Sequence, residues 1–402
     1  MPPLPLFAVG YETFEWAPSQ ISRSGISDRA WRKHVDGLSG TYQSAIPASI
    51  AELDYVPSGD VRARTEEAQH EIARFDAEMG SEIAPFSSIL LRTEASASSN
   101  IENLSSSAKA IELALLGDRR RGTASLIAQN TQAMRAAIGL SDVLEPDSIL
   151  RMHDALLRES APSIAGKWRD CPVWIGTSSR TPIGADFVAP HHDRVPGAIA
   201  DLVTYLQRRD VPTLEHTAIA HAQFETIHPF ADENGRVGRA LMHAVLRNRG
   251  LTRHVTVPVS AGLLADVTGY HDALTDYRAG DPDTIVGLSA TASLRAIDNG
   301  RQLIADLREI REGWQSKLTA RRDSAVWRVA DLLMRQPVLT VDLLTSELGI
   351  DARHAHRYLT PLEERGVLRK AKLTKRESYW AASEVLDALD RFSERAGRRT
   401  AG

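Results

Sequence analysis

Apolar residues recur every three or four positions along most of this chain, the spacing of helices that each bury one stripe. From Ser58 the pattern turns helical, with Val61, Ala68, Ile72 and Phe75 separated by Glu and Arg. Further amphipathic stretches cover 84–94, 100–116, 125–138, 147–159, 196–207 and 213–226. A long one over 286–319 aligns Leu288, Leu294, Ile297, Leu303, Leu307 and Ile310. Two regions break the rhythm. Residues 1–60 are rich in Pro, Ser and Gly with scattered aromatics (Tyr11, Phe14, Trp16, Trp31), which predicts an irregular N-terminal arm with short helical pieces. Residues 173–190, VWIGTSSRTPIGADFVAP, set β-branched and aromatic residues around a Ser/Thr/Gly turn and predict a short hairpin. The fold class is mainly α.

Beyond the long helix the pattern shortens. It predicts a helix over 325–335, an extended Val338-Leu339-Thr340, and a helix over 341–348. A turn at Gly349-Ile350-Asp351, a helix over 352–365, and β-type segments at 366–368 and 378–381 around a basic tip follow. A helix-turn-helix followed by a two-stranded wing resembles a winged-helix domain. Arg353, His354, His356 and Arg357 lie on its recognition helix, with Arg369, Lys370, Lys372, Lys375 and Arg376 on the wing. Phosphate contacts from such residues would give salt-dependent DNA affinity. Asp342, Glu347, Glu363 and Glu364 leave only a modest positive balance, so DNA binding and protein docking both stay open. A helix over 383–395 and a basic tail end the sequence.

With 402 residues, 43% hydrophobic and 25% charged, the chain has material for two or three cores. A formal net charge of -4 argues against wholesale coating of nucleic acid or membrane. The single cysteine, Cys171, excludes an intramolecular disulfide framework and fits a reducing cytoplasm. MPPLPLFAVG lacks the basic and apolar runs of a signal peptide, and no stretch is long enough to span a membrane, so the expectation is a soluble cytoplasmic protein.

The chemistry concentrates at His228–Arg239, HPFADENGRVGR. Asn234-Gly235 signals a turn, and the apolar-rich residues from Val237 read as a helix. A loop running into a helix N-terminus offers unpaired N–H groups and positive potential, which suits a phosphate. Arg236 and Arg239 add fork-shaped donors, Asp232 is a hard ligand of the kind Mg²⁺ uses, and His228 can take a proton. The segment resembles the Fic family motif HxFx(D/E)GNGRxxR at every position but one. The exception is Glu233, where the family usually has glycine. It could weaken phosphate binding, add a metal contact or point to solvent.

The resemblance implies a helical core that binds ATP with Mg²⁺ and moves AMP onto a protein hydroxyl. It implies His228 as base, Asp232 as metal ligand, and Asn234, Gly235, Arg236 and Arg239 as phosphate contacts. Gly166 and Arg169 precede the predicted hairpin as the family's G-x-x-R precedes its target-holding flap. Upstream, Ser98, Glu102 and Asn103 read alone as a helix start, but they match the family's inhibitory (S/T)xxxE(G/N) helix. Glu102 is then expected to pair with Arg239 in the space of the γ-phosphate.

The expected organisation is an arm over 1–60, a region with the inhibitory helix over 61–125 and a catalytic core over 126–285. A connecting helix over 286–320, a winged helix over 321–382 and a tail over 383–402 complete it. Self-modification, DNA at the winged helix and a homodimer are the partners this reading admits, with no membrane. A nucleotide-sensing transcription regulator with weak or self-directed transfer is the alternative.

Overall fold

The computed structural model describes residues 7–17, 39–80, 86–118, 120, 122–176, 180–319, 321, 324–374 and 377–397. Trp31, residues 177–179 of the predicted hairpin, Lys375 and Arg376 lie outside the described residues. The molecule is mainly α-helical with small sheets.

Strands β1 (Gly10–Trp16) and β2 (Gly40–Ile46) pair antiparallel, with Tyr11 opposite Ala45 and Phe14 opposite Tyr42. The expected irregular arm with helical pieces is therefore a strand pair where it is described. Along β1 the odd positions Tyr11, Thr13 and Glu15 face out while Phe14 and Trp16 turn in, a period of two that the Pro/Ser/Gly content obscured.

Helices α1 (Gly59–Gly80), α2 (Phe86–Ile101), α3 (Ala108–Leu115), α4 (Thr123–Gly139) and α5 (Pro146–Leu157) follow. The predicted helices at 84–94 and 100–116 divide differently: α2 continues through Ile101, and 102–107 is the break. The hairpin is real, with β3 (Trp174–Ile175) paired to β4 (Phe187–Val188). Then come α6 (Val195–Gln207), α7 (Thr213–Ile227), α8 (Asn234–Asn248), α9 (Val259–Leu264), α10 (Val267–Ala279) and α11 (Asp283–Lys317). From Leu214 to Ile227 every residue of α7 is buried, so it is the centre of the bundle rather than a surface helix.

The C-terminal module comprises α12 (Ala325–Arg335), β5 (Val338–Leu339), α13 (Val341–Leu348), α14 (Ala355–Glu364), β6 (Arg369–Lys372), β7 (Ser378–Ala381) and α15 (Ser383–Arg395). Its sheet has the order β5-β7-β6. The strand expected at 366–368 lies instead at Arg369–Lys372. Gly366 adopts a left-handed turn (φ 72), and Val367 and Leu368 drop into the core before the strand begins.

A buried polar ring joins this module to α2. Arg92 donates to Glu112 at 2.8 Å and to Gln336 at 2.6 Å, and Gln336 donates back to Glu112 at 2.9 Å. Burial pushes the Glu112 carboxyl up against the pull of Arg92. Removing one member of such a ring strands a charge away from water.

Candidate active site

Helix α7 ends where the chemistry begins. Pro229 disfavours helical geometry for the residue before it, and His228 caps α7 in the left-handed region at φ 49. The turn that follows is stapled by Asn234, whose side chain accepts from the Phe230 N–H at 2.8 Å and donates to the Phe230 carbonyl at 2.9 Å. Asn234 thus shapes the loop with its side chain. Phe230 is fully buried, stacked between His153 at 3.8 Å and Trp168 at 5.1 Å. His153 accepts the Gly166 N–H on Nδ1, so its Nε2 donates to the Asp232 carbonyl at 3.3 Å. Gly166 sits at φ 63 with the Asp154 side chain 3.0 Å from where a Cβ would stand, so glycine is required.

Arg169 gathers four carbonyls: His228 at 2.8 Å, Pro190 at 2.6 Å, Cys171 at 3.1 Å and Ile227 at 3.3 Å. The G-x-x-R segment therefore ties the base of the β3–β4 hairpin to the His228 turn. His228 donates its backbone N–H to Phe224 at 2.8 Å, and its Nδ1 faces the Glu225 carbonyl at 3.2 Å. That contact leaves Nε2 as the basic nitrogen. Burial, with the charges of Arg278 and Arg169, brings the His228 pKa down to about 4. The ring is neutral at pH 7.

Asp232, Glu233, Asn234, Gly235, Arg236 and Arg239 line one cavity of about 980 Å³ together with His228 and Glu102. All the sequence-chosen residues of the loop come together. Asp232 accepts the Glu233 N–H at 2.8 Å on one carboxylate oxygen, and its exposed side chain keeps the other for a cation. A single free carboxylate beside a phosphate cradle fits Mg²⁺, which keeps most of its ligands as water and phosphate.

Glu233 does not point to solvent. It occupies the left-handed region at φ 66, and its carboxylate pairs with Arg236. A glycine there would be free of the crowding that costs a side chain about 1–2 kcal/mol in this conformation. Glu233→Gly is expected to keep the melting temperature near the parent value, as relieved strain offsets backbone entropy. It should raise nucleotide affinity by freeing Arg236; calorimetric titration of ATP checks this, and weaker binding would make Glu233 a working ligand.

The Ser98–Asn103 segment is a helix end, not the start expected from its serines. Leu104 N–H bonds Ser99 O at 2.9 Å and Asn103 N–H bonds Asn100 O at 3.0 Å, with Asn103 left-handed at φ 60. This is a Schellman cap, and asparagine is a side chain that tolerates the position. The cap fixes Glu102 over the anion loop. Arg239, 1% exposed, donates to Glu102 at 2.8 Å and to the Ser98 hydroxyl and carbonyl, each at 2.9 Å. Although burial opposes it, Arg239 holds the Glu102 carboxyl below its ordinary range, and Glu102 raises Arg239 in turn. Gly235 leaves the room: a Cβ on it would collide with the Glu102 carboxylate.

Several residues of the site escaped the sequence reading. Glu225 is 5% exposed, has one oxygen without a partner, and is pushed up to about 7 by burial. Its other oxygen stands 3.7 Å from His228 Nδ1. The one available signal was its i,i+3 spacing to His228 on a helix. Arg278 reaches the cavity from α10, far along the chain, with its guanidinium 3.8 Å from the Phe187 ring of the flap.

Buried neutral histidines set the acid response. His153 and His216 lie at about 4, His221 at about 3 and His228 at about 4, all lowered from 6.5 by burial. Between pH 6.5 and 4 the unfolded chain takes up protons that the folded one refuses, so stability is full above 6.5 and lost on acidification. Glu225, raised from 4.5 to about 7, opposes this over part of the window. The sum for these five groups is a loss on the order of 4 kcal/mol between pH 6.5 and 5. Urea midpoints at the two pH values measure it, and equal midpoints would contradict it.

The architecture is a helical bundle whose central helix ends in a histidine beside the N-terminus of the next helix. Comparison narrows it. Residues 143–246 match the family model described as Fic/DOC family, and the chain carries a Fic domain. The protein adenylyltransferase fic-1 of Caenorhabditis briggsae is 33% identical over 107 residues, which is 26% of this chain and 19% of that protein. A probable protein adenylyltransferase of Aquifex aeolicus is 42% identical over 69 residues, 17% of this chain and 22% of the relative. The chain thus spans about a fifth of the length of these curated relatives. A crystal structure of a Fic family protein from Desulfovibrio desulfuricans G20 covers 81% of this chain and 97% of its own, with TM-score 0.53 at 23% identity, and shares the fold. Among the described residues no helix is long and apolar enough to cross a membrane.

Proposed function

We propose that this protein is an adenylyltransferase that moves AMP from ATP to a Ser, Thr or Tyr hydroxyl of a protein, itself included, and that Glu102 restrains it. The observation that carries the reading is one cavity holding a neutral His228, a helix-N-terminal anion loop and two buried arginines. His228 Nε2 takes the hydroxyl proton. The hydroxyl oxygen bonds the α-phosphorus, and the bond to pyrophosphate breaks. Negative phosphates arriving beside the ring raise its basicity at that moment. The N–H groups opening α8, with Arg236, stabilise charge on the α- and β-phosphates, and Arg239 receives the γ-phosphate once Glu102 leaves it. Asp232 would hold Mg²⁺, which when bound supplies charge neutralisation at the phosphates.

The C-terminal module is read as a winged helix, with α13 and α14 as the helix pair and β6–β7 as the wing. Arg353 is bridged to Asp351 at 2.7 Å, and Lys370 lies 5.2 Å over the Trp380 ring, so part of its basic surface is already engaged. A second reading, a nucleotide-sensing regulator, is supported by the Arg92–Glu112–Gln336 ring that ties the Glu102 helix to this module. Cys171 as lone cysteine supports a reducing, cytoplasmic setting. Incubation with ATP labelled at the α-phosphate, followed by mass spectrometry, separates the readings: an AMP adduct supports the transferase, and labelled ATP bound without any adduct supports the regulator.

A further inference from the structure

The cavity that contains His228 is closed on one side by the N-terminal strand. Ala8, Val9 and Tyr11 line it together with the loop residues Asp232 to Arg236. Among the described residues, three hydroxyl side chains line this cavity: Tyr11, Tyr270 and Thr275. Tyr270 is 2% exposed and bonded to His221 at 2.7 Å. The Thr275 hydroxyl donates to the His271 carbonyl of its own helix at 3.1 Å. Tyr11 is different. It is 58% exposed and points out from its strand.

The strand is fixed in this position from several directions. Val9 N–H donates to the Arg278 carbonyl at 2.9 Å, Glu12 pairs with Arg194 at 2.6 Å, and Phe14 stacks on His191 at 4.6 Å. The partner strand β2 lies against the flap strand β4: Tyr42 and Trp16 pack with Val188, and Ala45 with Phe187. Arg278 completes the link, because its side chain feels the Tyr11 phenol and donates to the Glu225 carbonyl at 3.3 Å, one turn before His228. The strand pair therefore lies against the flap, with Tyr11 in the lining of the cavity that holds His228.

We infer that Tyr11 is the acceptor of an intramolecular AMP transfer. The inference rests on the adenylyl-transfer reading above and names its substrate within the chain. The Tyr11 O–H proton goes to His228 Nε2, the phenolic oxygen bonds the α-phosphorus of ATP, and pyrophosphate leaves. A phenol gives up its proton far more readily than an aliphatic hydroxyl, which suits a buried, weakly basic histidine. AMP on Tyr11 would add a bulky anion at the mouth of the cavity, so the reaction would limit itself to one adduct per chain.

The test uses the full-length Glu102→Gly protein with ATP and Mg²⁺, read by intact mass and peptide mapping. The expected result is one AMP per chain, located on Tyr11, formed at a rate independent of protein concentration. Tyr11→Phe in the same background keeps the ring and should unfold at the same temperature while losing at least tenfold in AMP incorporation. An adduct on another residue, a rate that rises with protein concentration, or undiminished labelling of Tyr11→Phe overturns the inference and leaves adenylyl transfer standing. If no AMP appears on this chain or on any protein of an added lysate, the transfer reading falls and takes the acceptor with it.

Discussion

Replacing His228 with alanine should reduce AMP transfer on the order of 10²–10⁴-fold, the usual contribution of a positioned base. The effect should fall on turnover, since the proposed phosphate contacts lie at the α8 N-terminus and its arginines rather than on the imidazole. His228 is suited to the role by its surroundings: Nδ1 is committed to the Glu225 carbonyl, and burial keeps the ring neutral at pH 7. The measurement is single-turnover transfer from labelled ATP in a Glu102→Gly background, together with ATP binding by calorimetry. Near-normal transfer by the alanine variant would remove His228 from the mechanism. Loss of ATP binding with it would make the residue a scaffold for the loop.

Glu102→Gly should speed transfer strongly, most easily seen as self-modification. Arg239 is almost wholly buried and already donates to Ser98 and Glu102. Deleting the carboxylate leaves Ser98 in place and frees charged donors for phosphate oxygens, which they bind more strongly than neutral acceptors. Asn103, which holds the left-handed position of the cap, is untouched, so the fold should survive the change. Arg239→Ala should not share the gain, because it deletes the phosphate ligand together with the partner of the brake, and the double variant should stay inactive. Transfer rates for the four proteins decide it. If Glu102→Gly is no faster than the parent while His228 is essential, Glu102 is a helix cap and nothing more. Acid will not mimic the variant near neutrality, since Arg239 keeps the Glu102 carboxyl ionised below the ordinary carboxylate range.

Local pattern determined much of this protein. The residue pattern placed α12, α13, β7 and α15 at their observed bounds, because the three helices are amphipathic and β7 is a short run of buried aromatic and small residues. The grouping of His228 to Arg239 was also legible, since these residues lie within twelve positions of one another and line one cavity. Where the sequence misled, a local rule gave way to long-range packing. Serines in Ser98–Asn103 suggested a helix start, yet burial of α2 carried the helix to Ile101 and made Asn103 its left-handed stop. The arm looked irregular because its two strands are separated by more than twenty residues, and only their pairing shows the alternation.

The contents of the site beyond the loop were decided by tertiary structure alone. Arg278 on α10 and Tyr11 on β1 line the cavity of His228 from distant segments and carry no local signature of that role, whereas Glu225 stands one turn before His228 on α7. Glu233 is the clearest case. Its identity announced a second carboxylate, but not where it would go. The left-handed backbone of the loop turned it onto Arg236, because a buried guanidinium needs a partner and that one was within reach.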